Sequence, residues 1–328
     1  MSKRRQIPSA KQYAFDAAVG AGHAFLVGEL EKVDPKLREP LTSTQWPRDI
    51  VCKTGGGWVE GISSLNMNFA TTGSNQNGIV GGQTTDIPVM QVDVSKDRGK
   101  VFSWGQVSKV SYIDKQKLKQ IARNIEEMID KGIRLNHDKT LDQNVYEGFD
   151  LENTYGLINN PNITITAVEN GTGGSSKWFD KTPDEILADI NKAMVDTWVA
   201  SGNDLTGMAN HILVPPHEFA MLATRKVSEA GNMSILKYLE ENNIGRNQGV
   251  GLSINPLPYL KGAGTGGTNR MVAYVNNVDR IRFHETVTLH RAMTQISVES
   301  MSYVSSFLAQ FSEVEWLYYT PAIYVDGI

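Results

Sequence analysis

The chain has 328 residues, enough for one large or two modest domains with real cores. Its net charge is −4, so no strong overall field draws it to nucleic acid. A single cysteine, Cys52, excludes an intrachain disulfide and a cysteine zinc cluster. The hydrophobic share of 40% and charged share of 21% are ordinary for a globular protein.

No apolar run reaches the roughly 18 residues of a membrane helix. The richest stretch, 17–28, is interrupted by His23 and by Gly20, Gly22 and Gly28. The opening Met-Ser-Lys-Arg-Arg5 is basic but lacks the apolar core of a signal peptide, so a cytoplasmic product is expected. Ser9 caps a predicted helix to about Glu31, with Tyr13, Ala17, Ala21, Phe25 and Leu30 near one face. Asp34-Pro35 and Glu39-Pro40 stop it, and 32–55 reads as an irregular tether.

The texture then changes. Trp58, Gly61, Ser63, Leu65, Met67 and Phe69 alternate weakly, as in a strand. A tip of turn formers follows, with Gly73, Asn75, Asn77 and Gly78 at its centre. The return path runs through Ile87 to Val94, a turn at Lys96 to Gly99, and extended stretches at 101–104 and 107–112. The pattern offers little apolar surface, and an isolated two-stranded ribbon is marginal in water. Something outside it must cover it.

A long amphipathic helix is predicted from Asp114 to about Glu147. Leu118, Ile121, Ile125, Met128 and Ile129 recur at three- and four-residue steps, and Ile133, Leu141 and Val145 continue them. Gly132 is the candidate break. Leu118, Ile121, Ile125 and Ile129 are expected to face the C-terminal strands, with Val314 and Trp316 among their partners, because so long a stripe needs a sheet over it.

The second half reads as an α/β unit. Thr182-Pro-Asp-Glu185 is a capping box, and Ile186, Leu187, Ile190, Met194 and Trp198 form the buried stripe of its helix. A strand at 211–215, short helices at 216–224 and 234–241, and strands at 252–255 and 271–275 follow. Further strands are predicted at 280–283, 286–289, 296–301 and 314–319.

Chemical motifs fail on context. Gly262-Ala-Gly-Thr-Gly-Gly267 matches a dinucleotide fingerprint in letters, but a strand and not a helix follows it. Gly171-Thr-Gly-Gly-Ser-Ser-Lys177 lacks the ending of a phosphate loop. His284, Glu285 and His290 are spaced too widely for a zinc-protease helix. The paired carboxylates at Glu126-Glu127 and Glu240-Glu241 read as solvated surface. No catalytic residue, cofactor site or metal site is therefore assigned. Lys3, Arg4 and Arg5 form a small basic patch able to touch nucleic acid or simply to be solvated.

The order of parts resembles the major capsid protein of tailed bacteriophages, the Hong-Kong-97-type fold shared with encapsulin shells. Three phrases carry the resemblance: Tyr155-Gly-Leu-Ile-Asn-Asn-Pro161 after the helix, the ending Pro321-Ala-Ile-Tyr-Val-Asp-Gly-Ile328, and Leu30-Glu-Lys-Val-Asp-Pro35 in the arm. The resemblance implies an α+β fold with an N-terminal arm (1–50), an extended E-loop (51–112) and a P-domain with its spine helix (113–178). An A-domain (179–278) and returning P-domain strands (279–328) complete it. It further implies a virion protein, assembled in the host cytoplasm into pentamers and hexamers of an icosahedral shell around double-stranded DNA. Its partners would be itself, the packaged DNA held non-specifically through Lys3, Arg4 and Arg5, and portal, scaffold or decoration proteins, with no membrane. The alternatives are an encapsulin-like compartment around protein cargo and, lower, a soluble α/β enzyme.

Overall fold

The computed structural model describes residues 44–72, 87–120, 125–228 and 232–328, without the side chains of 118–120 and 125. The expected arm with Lys3, Arg4 and Arg5, the ribbon tip with Gly73, Asn75, Asn77 and Gly78, and Ile121 lie outside these residues, as do the side chains of Leu118 and Ile125.

Where the sequence suggested only a tether, a short helix α1 (Trp46–Asp49) and a strand β1 (Val51–Thr54) form. Strands β2 (Ile62–Thr72) and β3 (Val89–Gly99) pair with each other in a two-stranded antiparallel ribbon. The expected turn at Lys96 to Gly99 is not a turn. Those residues stay in register with Ile62 to Leu65, and only Lys100 separates β3 from β4 (Val101–Ser111). β4 leaves the ribbon altogether and pairs along its whole length with β10 (Ser302–Ser312).

The first five-stranded sheet runs β1, β9 (Ile281–Ser297), β10, β4, with β11 (Glu315–Trp316) also on β9. The strands predicted at 280–283 and 286–289 are thus parts of one long strand. The predicted strand 296–301 is divided instead, because Val298 to Met301 make the hairpin turn, with Met301 at φ 43. The extended run at 314–319 shrinks to the two residues of β11.

The long helix is described as α2 (Tyr112–Gln120) and α3 (Ile125–Tyr146). Gly132 lies inside α3 and does not break it. The buried side of α3 carries Ile133, His137, Leu141 and Val145 at four-residue steps, with Tyr146 beside the last. Leu141, Val145 and Tyr146 share a core with Ile281 and Phe283 of β9, Phe311 of β10 and Val314, with Trp316 packed against it. Ile129, a turn or more earlier, lines a cavity with Val110 of β4 and Tyr303 and Ser305 of β10.

The second five-stranded sheet has the order β5 (Thr164–Ala167), β12 (Ala322–Asp326), β8 (Arg270–Tyr274), β6 (His211–Val214), β7 (Ser253–Pro256). Its side chains alternate between two cores. Met271, Ala273, Ile323 and Val325 meet the helices α4 (Pro183–Ala200), α5 (Pro216–Thr224) and α6 (Ile235–Asn242). Val272, Tyr274, Ala322 and Tyr324 face the core under α3. Burial on both faces explains why these strands read as continuous apolar runs. The chain's last strand, β12, belongs to this sheet and not with β9 and β10. The short α7 (Ile244–Asn247) follows α6.

The capping box forms as its spacing predicts: the Thr182 side chain accepts from the Glu185 N–H, and the Glu185 carboxylate accepts from the Thr182 N–H. The 262–267 loop leads into β8, so the dinucleotide context fails in the structure as it does in the sequence.

Candidate assembly interface

The register of the ribbon decides its chemistry. Opposite residues in an antiparallel pair share a face. Met67 lies against Val94, Phe69 against Val92 and Thr71 against Met90, with Leu65 beside Lys96. Six apolar side chains therefore form one stripe. Nothing in the chain's described residues covers it: Leu65 is 70% exposed, Met67 and Phe69 65%, and Val92 56%. The other face pairs Ser64 with Asp97, Asn66 with Ser95 and Asn68 with Asp93. There the Asn66 amide donates to Asp97 at 2.5 Å. The weak alternation read in β2 alone hid this segregation, because half of the stripe lies on β3.

The base of the ribbon is clamped to the body by polar contacts. The Lys100 N–H donates to Glu313 Oε1 at 2.7 Å, and the Glu313 N–H donates to the Lys100 carbonyl at 3.1 Å. Gln310, on β10, takes both backbone groups of Val59: it accepts from the N–H at 3.1 Å and donates to the carbonyl at 2.9 Å. Beside the clamp, Arg282 Nε donates to Glu315 Oε2 at 2.7 Å, with His284 Nε2 at 3.4 Å. Burial pushes the Glu315 carboxyl up, but His284 and Arg282 outweigh it and hold it at about 2.

Two further clusters fix the body. Asp49 is fully buried and accepts from Arg48 at 2.6 Å, from the Tyr146 hydroxyl at 2.6 Å, and from His211 Nε2 at 3.1 Å. Burial raises its pKa, and these three donors together bring it below the ordinary carboxylate range. Asp142 accepts from the Gln45 and Trp46 N–H groups, so α3 seats the chain just before Asp49. On the face of the second sheet that carries Tyr274 and Tyr324, Arg270 bonds Asp326 bidentately at 2.6 and 2.9 Å and donates to the Ile158 carbonyl at 2.8 Å.

That last bond explains the Gly-Leu-Ile-Asn-Asn phrase. Leu157 N–H donates to the Val145 carbonyl at 2.8 Å, folding the turn back against the end of α3. The Asn159 side chain accepts from Gly156 N–H at 2.8 Å and donates to the Glu147 carbonyl at 2.7 Å. At Gly156 a Cβ would stand 2.3 Å from the Tyr146 carbonyl, so only glycine fits.

The family described as "Major capsid protein" matches residues 75–328. The chain belongs to the major capsid protein family. This capsid protein shares its fold with solved phage shells. It is similar to the capsid of Myoviridae phage XM1, at 16% identity and TM-score 0.76, over 92% of this chain and 98% of that one. It is similar to the capsid of the native GTA particle, at 11% identity and TM-score 0.62, over 94% and 98%. Microbacterium phage Oxtober96 matches at 11% identity and TM-score 0.61, over 93% and 98%. A search of curated protein sequences finds no match. The α+β, Hong-Kong-97-type fold and the role of structural subunit of a phage capsid follow, and the family match favours that role over an encapsulin-like compartment.

The sequence singled out a ribbon and the alternation of Leu65, Met67 and Phe69, but missed their union with Met90, Val92 and Val94 in one stripe. Its signal was available in the return strand, where Met90, Val92 and Val94 alternate. Asp49 and Arg270 carried no local signal, because, Arg48 apart, their partners lie far along the chain. Among the described residues no group of three or more His, Cys, Asp or Glu is placed to hold a metal, and no helix is long and apolar enough to cross a membrane.

Proposed function

We propose that this capsid protein completes itself on its neighbours through the β2–β3 ribbon, closing into pentamers and hexamers of an icosahedral shell around double-stranded DNA. The observation that carries this is the exposed stripe of Leu65, Met67, Phe69, Met90, Val92 and Val94. A contiguous apolar patch on a soluble chain marks an interaction surface. Repeated head-to-tail contacts close into rings. The bilateral clamp at Lys100–Glu313 and Gln310–Val59 sets the direction in which the stripe is offered.

The test is a polar substitution in the stripe. Phe69→Asp with Val92→Lys, an opposite-charge pair across the ribbon, leaves the melting of the unassembled subunit within about 0.5 kcal/mol of the parent, as exposed sites do. Electron micrographs of the same protein show no shells. Intact shells from the double variant would sink the interlocking role. Removing Thr72 to Gly82 has the same expected result. We further assign Lys3, Arg4 and Arg5 to non-specific DNA contact on the inner face, with assembly in the host cytoplasm and a virion destination. Portal, scaffold and decoration proteins are the expected further partners. The role is structural, without turnover or bound metal; stoichiometric zinc in purified protein would overturn that part. Nucleic acid and not a protein cargo inside purified particles separates this reading from the encapsulin-like one.

A further inference from the structure

We infer a second self-contact, distinct from the ribbon: a two-fold contact in which Leu151 of one copy enters the groove beside Leu151 of another. It rests on the reading that the chain assembles with itself. Leu151 is 97% exposed. One exposed leucine means nothing by itself. Three observations together give this one a role.

The first is that its turn is built rigidly. Asn153 closes it in the left-handed region at φ 50 and donates to the Asp150 carbonyl at 3.1 Å. Thr154, 2% exposed, accepts from the Phe149 N–H at 3.0 Å. Phe149 is wedged edge-on against Phe102 at 5.4 Å, and Lys100 Nζ donates to the Glu152 carbonyl. A leucine held out on such a frame loses little further freedom on docking, which lowers the entropic cost of binding.

The second is a matching hole. Leu151 borders a groove of about 630 Å³ whose apolar lining is Phe149, Ile158, Tyr259 and Ala263. Tyr259 is itself fixed by stacking on Tyr146 at 5.2 Å. A knob and a hole side by side on one surface are self-complementary under a two-fold rotation, which is the geometry of an isologous contact.

The third is charge. Asp150 stands next to the knob and Lys261 on the rim of the groove, and both are exposed. Among the described residues neither has an ion-pair partner. The proposed contact pairs each Asp150 with the Lys261 of the other copy, at both ends, on a groove that also carries the exposed Glu147. Complementary charge of this kind fixes register and rejects the wrong partner.

The experiment compares assembly and melting of single variants. Leu151→Asp leaves the subunit's melting unchanged and weakens association by on the order of tenfold or more, as loss of an anchor in a pocket does. Asp150→Lys and Lys261→Asp each weaken it, and the two combined restore it. In a Cys52→Ser background, a mixture of Leu151→Cys with Ala263→Cys subunits gives covalent dimers on oxidation, and neither variant alone does. If the parent forms shells and Leu151→Asp forms them equally well, or if the mixture gives no covalent dimer, the contact is absent while the ribbon proposal stands. If the parent chain forms no particles, both fall.

Discussion

Gly156 shows how one missing atom can hold two elements together. Its Cα packs against the last turn of α3 with no room for a methyl group: a Cβ would stand 2.3 Å from the carbonyl carbon and oxygen of Tyr146. Gly156→Ala must push the turn away from the helix and disturb the Leu157–Val145 and Ile158–Tyr146 bonds. We expect a loss of about 3 kcal/mol or more, at or above the usual range for overpacking. Chemical denaturation of the unassembled subunit measures it, and an unchanged midpoint would refute the close approach. His137 and Glu315 are two of the titrating groups that shape the acid side of the stability curve. His137 is buried against Trp104 with its Nε2 unpartnered, and burial lowers its pKa despite the opposing pull of Asp138. A histidine depressed in the folded state binds its proton more readily when unfolded. Stability therefore falls as pH drops below the unfolded value of about 6.5. Glu315 is also depressed, to about 2, so its contribution is full above the ordinary value of 4.5 and is lost as pH falls from there toward 2. His137→Leu should flatten the slope in the upper window, and Glu315→Gln the slope in the lower one. Parallel curves for parent and variants would refute these assignments.

At the scale of the element, α3 is held by one half of its length. Leu141 and Val145 are 2% and 0% exposed and sit in the core that joins the two sheets. Leu141→Ala should cost about 2–5 kcal/mol, as a buried truncation does. Lys139→Ala, on the exposed side, should move stability by less than about 0.5 kcal/mol. Equal small shifts would place the stripe wrongly. Gly132 offers the opposite test. It lies inside the helix, and a Cβ there would meet no atom within 4 Å. Gly132→Ala should stabilise the subunit by about 0.5–1 kcal/mol through lower unfolded-chain entropy and better helix propensity. A destabilised variant would mean that the glycine serves a bend or a contact in another state of the subunit. The ribbon is the contrasting element: β2 and β3 pair with each other over their whole length, but the apolar stripe they present is covered by nothing within the described chain.

For the whole molecule, this contrast separates folding from assembly. The two cores and the three charge clusters belong to the subunit and set its own melting. The ribbon stripe and the Leu151 surface belong to the shell. Because assembly removes subunits from the folding equilibrium, melting in the shell should lie above that of the free subunit and rise with concentration. Phe69→Asp should abolish that difference and leave the lower transition in place. A calorimetric scan in which the free subunit of this variant melts early would show that the stripe packs within its own chain.

Much of the local structure was legible in the sequence because its determinants lie within a few residues. Thr182 and Glu185 cap α4 at the spacing that a first helical turn imposes, and Ile133, Leu141 and Val145 mark the buried side of α3. The order of these elements, with the Gly-Leu-Ile-Asn-Asn phrase, carried the family likeness. Tertiary structure decided what depends on pairing at long range. β4 and β12 look alike in periodicity to the strands around them, yet hydrogen-bond register assigns β4 to β10 and β12 to β8. The stripe on the ribbon exists only once Met67 lies opposite Val94, because a shift of one residue would turn either strand's apolar set to the other face. Asp49 could not announce itself, since its donors come from α1, α3 and β6 and meet only in the folded chain.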